Sequence, residues 1–316
     1  MQKMVDMRDA YGETLAEIGA DPRVVVLDAD LSHSNKSDIF KNKYPERFFE
    51  AGIAEANMVG VAAGLSLAGL IPFIHTFSVF AVGRVYDQVR ISVCYQKANV
   101  KVVGTSAGLS DAHDGATHQS TDDVTLMRVL PNMTVVVPCD GVEVRKATKA
   151  VYEHHGPVYL RVDRMPVPFV WESLEDCQFE IGKANVLREG SDVAIIASGC
   201  PVALAMKAAD CAVKEGIKAE VLDVHTIKPF DQKAVVKAAQ KTGAVVTVEE
   251  HSVIGALGGA VAEVLAENCP IPIERIGIKD MFGESALDWN DLLSAHGITV
   301  EAIIDSAKRL LKRKRK

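Results

Sequence analysis

The chain has 316 residues, 48% of them hydrophobic, and a formal net charge of −7. That length and apolar content suffice for two domains with cores of their own and exclude a disordered chain. The acidic balance excludes a nucleic-acid surface, and six cysteines without a CxxC pair suit a reducing cytoplasm better than a disulfide framework or a zinc site.

No apolar stretch is long enough and free enough of breakers to span a bilayer, so the expected protein is soluble, cytoplasmic and without a membrane partner. Cys94, Cys139, Cys177, Cys200, Cys211 and Cys269 read as small core hydrophobes. The basic run at 308–316 reads as a solvated, fraying helix end.

In chain order, a charged N-terminus runs into a helix, and then β-branched runs at 24–27, 71–75, 100–103, 134–137 and 158–162 alternate with longer helical patterns. That rhythm predicts a parallel α/β sheet. The stretch from Pro166 to Asp176 breaks it, and Gly190-Ser191-Asp192 restarts it, which predicts domains over 1–175 and 190–316. In the second domain, strands are predicted at 193–197, 219–222, 244–248 and 273–276, with helices near 202–215, 231–242 and 256–267. The fold class is therefore α/β, as two doubly wound domains with mainly parallel sheets. The cluster Gly255-Ala256-Leu257-Gly258-Gly259 lacks the GxGxxG spacing and reads as tight helix packing.

Glu55 is a single carboxylate among small and apolar neighbours, followed by Met58, Val59, Ala62, Ala63, Leu65 and Leu67 around nearly the whole circumference of a helix. Its carboxyl is expected at the buried start of that helix. Burial can raise a carboxyl pKa by roughly 3–5 units, whereas a helix N-terminus favours the anion by only about 0.3–1 kcal/mol, so burial is expected to win. Such a group can exchange a proton with a ligand nitrogen near neutral pH; the alternative role is helix capping.

In open parallel sheets, ligands bind beyond the carboxyl ends of the strands. Two polar loops fall there, at 28–35 and 104–119, and the second is too long for a tight turn. His113, Asp114 and His118 in that loop match no regular metal-ligand spacing, so no metal is assigned to them. Phe77 and Phe80 are three apart, share one face if helical, and could stack a flat heteroaromatic ring beside Glu55.

The segments 28–35, Gly52-Ile53-Ala54-Glu55-Ala56-Asn57-Met58, Thr76-Phe77-Ser78-Val79-Phe80, Tyr86-Asp87-Gln88, Asp114-Gly115-Ala116-Thr117-His118-Gln119 and Pro138-Cys139-Asp140 resemble the pyrimidine-binding domain of transketolase in order and spacing. The run from Val221 to Asp231, Val248-Glu249-Glu250-His251 and Phe282-Gly283-Glu284-Ser285 resembles the C-terminal domain of the same superfamily.

The resemblance implies a thiamine diphosphate enzyme that transfers a two-carbon ketol unit between sugar phosphates in the pentose phosphate pathway. It implies that Glu55 bonds the aminopyrimidine ring nitrogen, that Phe77 and Phe80 stack the ring, and that Asp30 and Leu31 contact the cofactor, Leu31 as an apolar wedge. His118 joins Glu55 in catalysis and contacts the sugar with Asp114, while Arg8, Ser34 and Arg164 grip the substrate phosphate.

No Gly-Asp-Gly triplet occurs, and Asp114-Gly115 and Asp140-Gly141 lack the leading glycine. The chain therefore resembles the C-terminal half of transketolase made separately. A partner carrying the N-terminal half would hold the diphosphate and Mg2+, within a heterotetramer that also has homodimer contacts. Ser106 stands where the family has a histidine, and His113 is an extra one. The rival resemblances are the beta subunit of a 2-oxo acid dehydrogenase and 1-deoxyxylulose 5-phosphate synthase; a non-catalytic assembly paralogue is the alternative of another class.

Overall fold

In the computed structural model, which describes residues 4–314, a short antiparallel pair joins β1 (Met4–Val5) to a later strand near the end of the first half. The first large sheet contains β2 (Val24–Asp28), β3 (Phe48–Glu50), β4 (Ile71–Phe77), β5 (Lys101–Thr105), β6 (Thr134–Val136) and β7 (Val158–Arg161). Every residue of β4 and β5 is buried, the pattern of central parallel strands covered on both faces. The partner of β1 is β8 (Val167–Pro168).

The second sheet contains β9 (Asn185–Arg188), β10 (Val193–Ala197) and β11 (Ala219–Asp223). After β12 (Thr226–Lys228), the chain adds β13 (Val245–Ser252) and β14 (Ile273–Ile278) to that sheet. Its order is β14-β13-β10-β11-β9, parallel except for β9. The first sheet runs β12-β6-β7-β5-β4-β2-β3, parallel except for β12. Both are doubly wound α/β sheets, as the alternating pattern predicts.

One strand falls in the stretch left between the two predicted domains and another crosses it. β9 lies ahead of Gly190 yet belongs to the second sheet, and β12 leaves the second half to pair with β6 of the first. The halves also share apolar cores, one of which contains both Val136 and Val248. Between them, buried Arg161 pairs with Asp123 at 3.0 Å and Asp163 at 3.3 Å, and donates to the Glu250 carbonyl at 3.0 Å. The Glu250 carboxylate accepts from the Leu109 N–H at 2.6 Å and the Trp289 indole N–H at 3.0 Å.

The glycine cluster does more than pack. The N–H groups of Leu257 and Gly258, which open the helix Leu257–Asn268, both donate at 2.8 Å to the Glu249 carboxylate, so the chain's own anion takes the helix end. The C-terminal helix Val300–Lys314 buries Val300, Ile303, Ile304, Ala307 and Leu310 and packs on the helix Pro201–Val213. Lys308 and Arg309 in it pair with Glu215 and Glu274, in place of a fraying end; Arg315 and Lys316 lie outside the described residues. Cys94, Cys139, Cys177 and Cys200 are buried, but Cys211 and Cys269 are only partly so.

The order of the first sheet reverses between β2 and β4, which opens a crevice at their carboxyl ends. The chain leaving β2, β4 and β5 supplies the two polar loops and the two phenylalanines, and the helix Glu55–Leu67 starts after β3.

Candidate active site

Glu55 is the first residue of its helix and only 3% exposed. The N-cap is Ala54, which makes no side-chain cap bond, and the partner of the Glu55 carboxylate is instead Arg84, whose Nη1 donates to Oε1 at 2.7 Å. The sequence reading weighed burial only against the helix N-terminus and did not foresee this ion pair.

Phe77 ends β4, and Phe80 opens the π-helical stretch Phe80–Arg84, so the two do not share a helix face. Their rings are nevertheless nearly parallel, with centroids 6.3 Å apart and planes 17° off. His118 meets both edge-on, at 6.2 Å from Phe77 and 5.5 Å from Phe80. The Arg84 guanidinium lies 4.3 Å from the Phe80 ring centroid. Glu55, Phe77, Phe80 and His118 therefore form one site, together with Arg84, which the sequence reading missed. The signal was its place four residues after Phe80, between the segments 76–80 and 86–88.

The long loop reaches the site through Arg164, whose Nη1 donates to Asp111 at 2.7 Å and Asp114 at 3.0 Å, and whose guanidinium lies 5.9 Å from the Phe77 ring centroid. Burial pushes the Asp111 carboxyl up against the pull of Arg164. Partial burial raises Asp114 too, but its hydrogen bond with Asp111 and the Arg164 charge bring it below the ordinary range. Asp111 is a second residue that the sequence reading did not name. The loop is tied to the second half by Gln119, whose amide donates to the carbonyls of Asp111 at 3.2 Å and Glu284 at 2.9 Å. Gly115, whose backbone φ of +75° favours glycine, lies in that loop against Ser285 of the second half.

Arg8 and Ser34 come together as well. Arg8 forks onto Asp6 at 2.9 and 3.3 Å and donates to the Ser34 carbonyl at 3.1 Å, with its side chain only 14% exposed, so it is not a solvated surface arginine. Asp30 and Leu31 bond within their own surroundings instead: the Asp30 N–H donates to Glu50 at 2.8 Å and the Leu31 N–H to Asp28 at 2.7 Å. Asp28, raised by burial, also accepts from Asn35 and Ser37 and so fixes the loop from below. Ser106 is fully buried with φ +50°, and its hydroxyl has no partner among the described residues.

His113 meets the Leu287 carbonyl at 3.2 Å and is exposed. Among the described residues, the side-chain groups close enough to share an ion are Cys139, Glu143 and Asp223, and Asp163, Cys200 and Glu250; neither contains His113, Asp114 or His118. Cavities of about 520 and 420 Å³ are lined by Arg128, Lys228 and Phe230, and by Met165, Leu204 and Trp289, and neither is lined by Glu55 or Phe80.

Two family models cover most of the chain: the transketolase pyrimidine binding domain matches residues 3–169 and the transketolase C-terminal domain residues 182–303. The 6-deoxy-6-sulfo-D-fructose transketolase subunit of Clostridium sp. is 47% identical, over 98% of this chain and 95% of its own. Rat transketolase is 34% identical over 96% of this chain, which spans 49% of that longer enzyme. A solved structure described as a split gene transketolase, inactive beta4 tetramer, has a TM-score of 0.91 and 48% identity, covering 98% of this chain and 100% of that one. The chain belongs to the transketolase family, and it matches the pyrimidine-binding and C-terminal part of it.

Proposed function

We propose that this chain is the C-terminal-half subunit of a split transketolase, which moves a two-carbon ketol unit between sugar phosphates and works only with an N-terminal-half partner. The observation that carries the reading is the buried Glu55 carboxylate beside the near-parallel rings of Phe77 and Phe80. These suit the aminopyrimidine of thiamine diphosphate, which needs an acid at its ring edge and apolar faces along its plane. Two subunit relatives, for the sulfofructose and apulose-4-phosphate transketolases, are likewise separate chains of this length.

When bound, the cofactor supplies the carbanion chemistry that cleaves and forms the carbon–carbon bond. Glu55 would hold a proton at the ring nitrogen of the bound aminopyrimidine. Phe80 and Phe77 fix the ring plane and exclude water from it. His118, edge-on to both rings, and Asp114 face the sugar hydroxyls, and His118 moves a proton there. Arg164 and Arg8 with Ser34 meet the distal anion. Asp30 and Leu31 lie on the loop that follows β2, at the rim of the crevice, and contact the cofactor from there. Mg2+ and the diphosphate fall to the partner, because the Gly-Asp-Gly signature is absent from this chain.

A second reading is a donor that ends in a sulfonate. Arg8 is already matched by Asp6, and Arg164 by Asp111 and Asp114, which suits a monoanion better than a phosphate dianion; the Clostridium relative is named for a sulfosugar. The test is to combine the chain with its complementary subunit, thiamine diphosphate and Mg2+, and to compare xylulose 5-phosphate, 6-deoxy-6-sulfofructose and pyruvate as donors. Ketol transfer from a sugar supports the proposal, with the preferred donor deciding between the two readings. Decarboxylation of pyruvate without ketol transfer refutes both.

A further inference from the structure

Neither the motifs nor the family resemblance gave Arg84 a role, yet it touches both groups on which the proposed cofactor site depends. Phe80 and Arg84 are the first and last residues of one π-helical stretch, which sets their side chains next to each other. The guanidinium lies 4.3 Å from the Phe80 ring centroid and at the same time donates to Glu55 at 2.7 Å. Its side chain is 48% exposed, whereas that of Glu55 is 4% exposed.

A guanidinium is flat, delocalised and cationic, with N–H groups at its edge and a face that stacks on aromatic rings. An aminopyrimidine protonated at its ring nitrogen has the same shape and the same two demands: an edge hydrogen bond to a carboxylate and a face on an aromatic ring. In the proposed function, those two contacts are with Glu55 and Phe80. A single planar group already makes both.

We propose that Arg84 is a resident competitor of the aminopyrimidine ring, holding Glu55 and Phe80 until the ring enters and then swinging outward. Its half-exposed side chain has a route to water. The guanidinium also supplies the counter-charge that the buried carboxylate needs before a ring nitrogen takes its place. This inference rests on the cofactor reading above.

The experiment is a calorimetric titration of the assembled two-subunit complex with thiamine diphosphate at saturating Mg2+, for wild type, Arg84→Met and Arg84→Lys, with thermal unfolding of each complex alongside. A competitor must be displaced, so Arg84→Met should bind the cofactor about 1.5- to fivefold more tightly, the range expected when an ion pair exposed on one side no longer has to be broken. Arg84→Lys keeps the charge and loses the plane, and should fall between the two. Unchanged or weaker binding by a folded Arg84→Met complex overturns the proposal and makes Arg84 a fixed support for Glu55 or a bystander. If wild type and both variants all fail to bind thiamine diphosphate, the cofactor reading falls and the competitor with it.

Discussion

Replacing Glu55 by Gln probes the proton carrier with little change of shape. Gln keeps an oxygen that can accept from Arg84, so the 2.7 Å contact survives as a hydrogen bond and only the charge is lost. Breaking a fully buried ion pair costs about 3–5 kcal/mol, and an exposed pair contributes only about 0.2–1. With Arg84 48% exposed and one hydrogen bond retained, the stability cost should be roughly 1 kcal/mol, about 1–2 °C in Tm. Catalysis should suffer far more, because an amide cannot hold a proton at the ring nitrogen. General acid–base groups contribute about 10²- to 10⁴-fold, or about 3–5 kcal/mol of barrier. The assay is steady-state ketol transfer by the reconstituted complex at saturating cofactor, with a thermal melt of the same sample. Turnover within threefold of wild type, in a complex that melts normally, would refute the role given to Glu55.

Phe80→Ala removes one stacking face, and cofactor affinity in the assembled enzyme should drop by roughly two- to tenfold, the equivalent of about 0.5–1.5 kcal/mol, as read by titration of the apo complex. His75 is fully buried between the Tyr11 hydroxyl and the Leu27 carbonyl, and burial depresses its pKa to about 4. The folded state thus refuses a proton that the unfolded chain takes up below about 6.5, so stability present above pH 6.5 is lost as pH falls toward 4. The total is about 3 kcal/mol. In urea titrations across that range, His75→Gln should lose most of this slope. Asp223 has the opposite sign: burial first, and Glu143 second, raise its pKa, so stability present below the ordinary carboxyl range is lost as pH rises through the raised value. Asp223→Asn should therefore melt at or above wild type at pH 7, with the advantage gone near pH 4; a variant markedly less stable at pH 7 would show that a charged Asp223 supports the fold.

Much of the architecture was legible because periodicity and burial are properties of short windows. β4 and β5 are legible from the short apolar runs Phe73-Ile74 and Val102-Val103 in strands covered on both faces, although His75, Thr76, Lys101 and Thr105 are buried in them too. Glu55 stood out for a similar reason: an acid within an otherwise small and apolar helix start is conspicuous without any knowledge of the rest of the chain. β12 was not legible. Three residues carry no period, and their pairing with β6 is set some ninety positions away by how the second half docks on the first.

The site divides in the same way. Its aromatic rings and its acid lie in segments whose residue types and order are informative in themselves. The angle between Phe77 and Phe80 is not, because it depends on a strand end meeting a π-helical stretch. Arg84 and Asp111 look in sequence like ordinary surface charges, and they gain meaning only from groups that folding brings within hydrogen-bond reach: Glu55 for the one, Arg164 for the other. The sequence by itself determined which elements form and which chemical groups are available, because local pattern and composition suffice for both. The tertiary structure alone decided which charges face one another, since that depends on contacts between residues far apart along the chain.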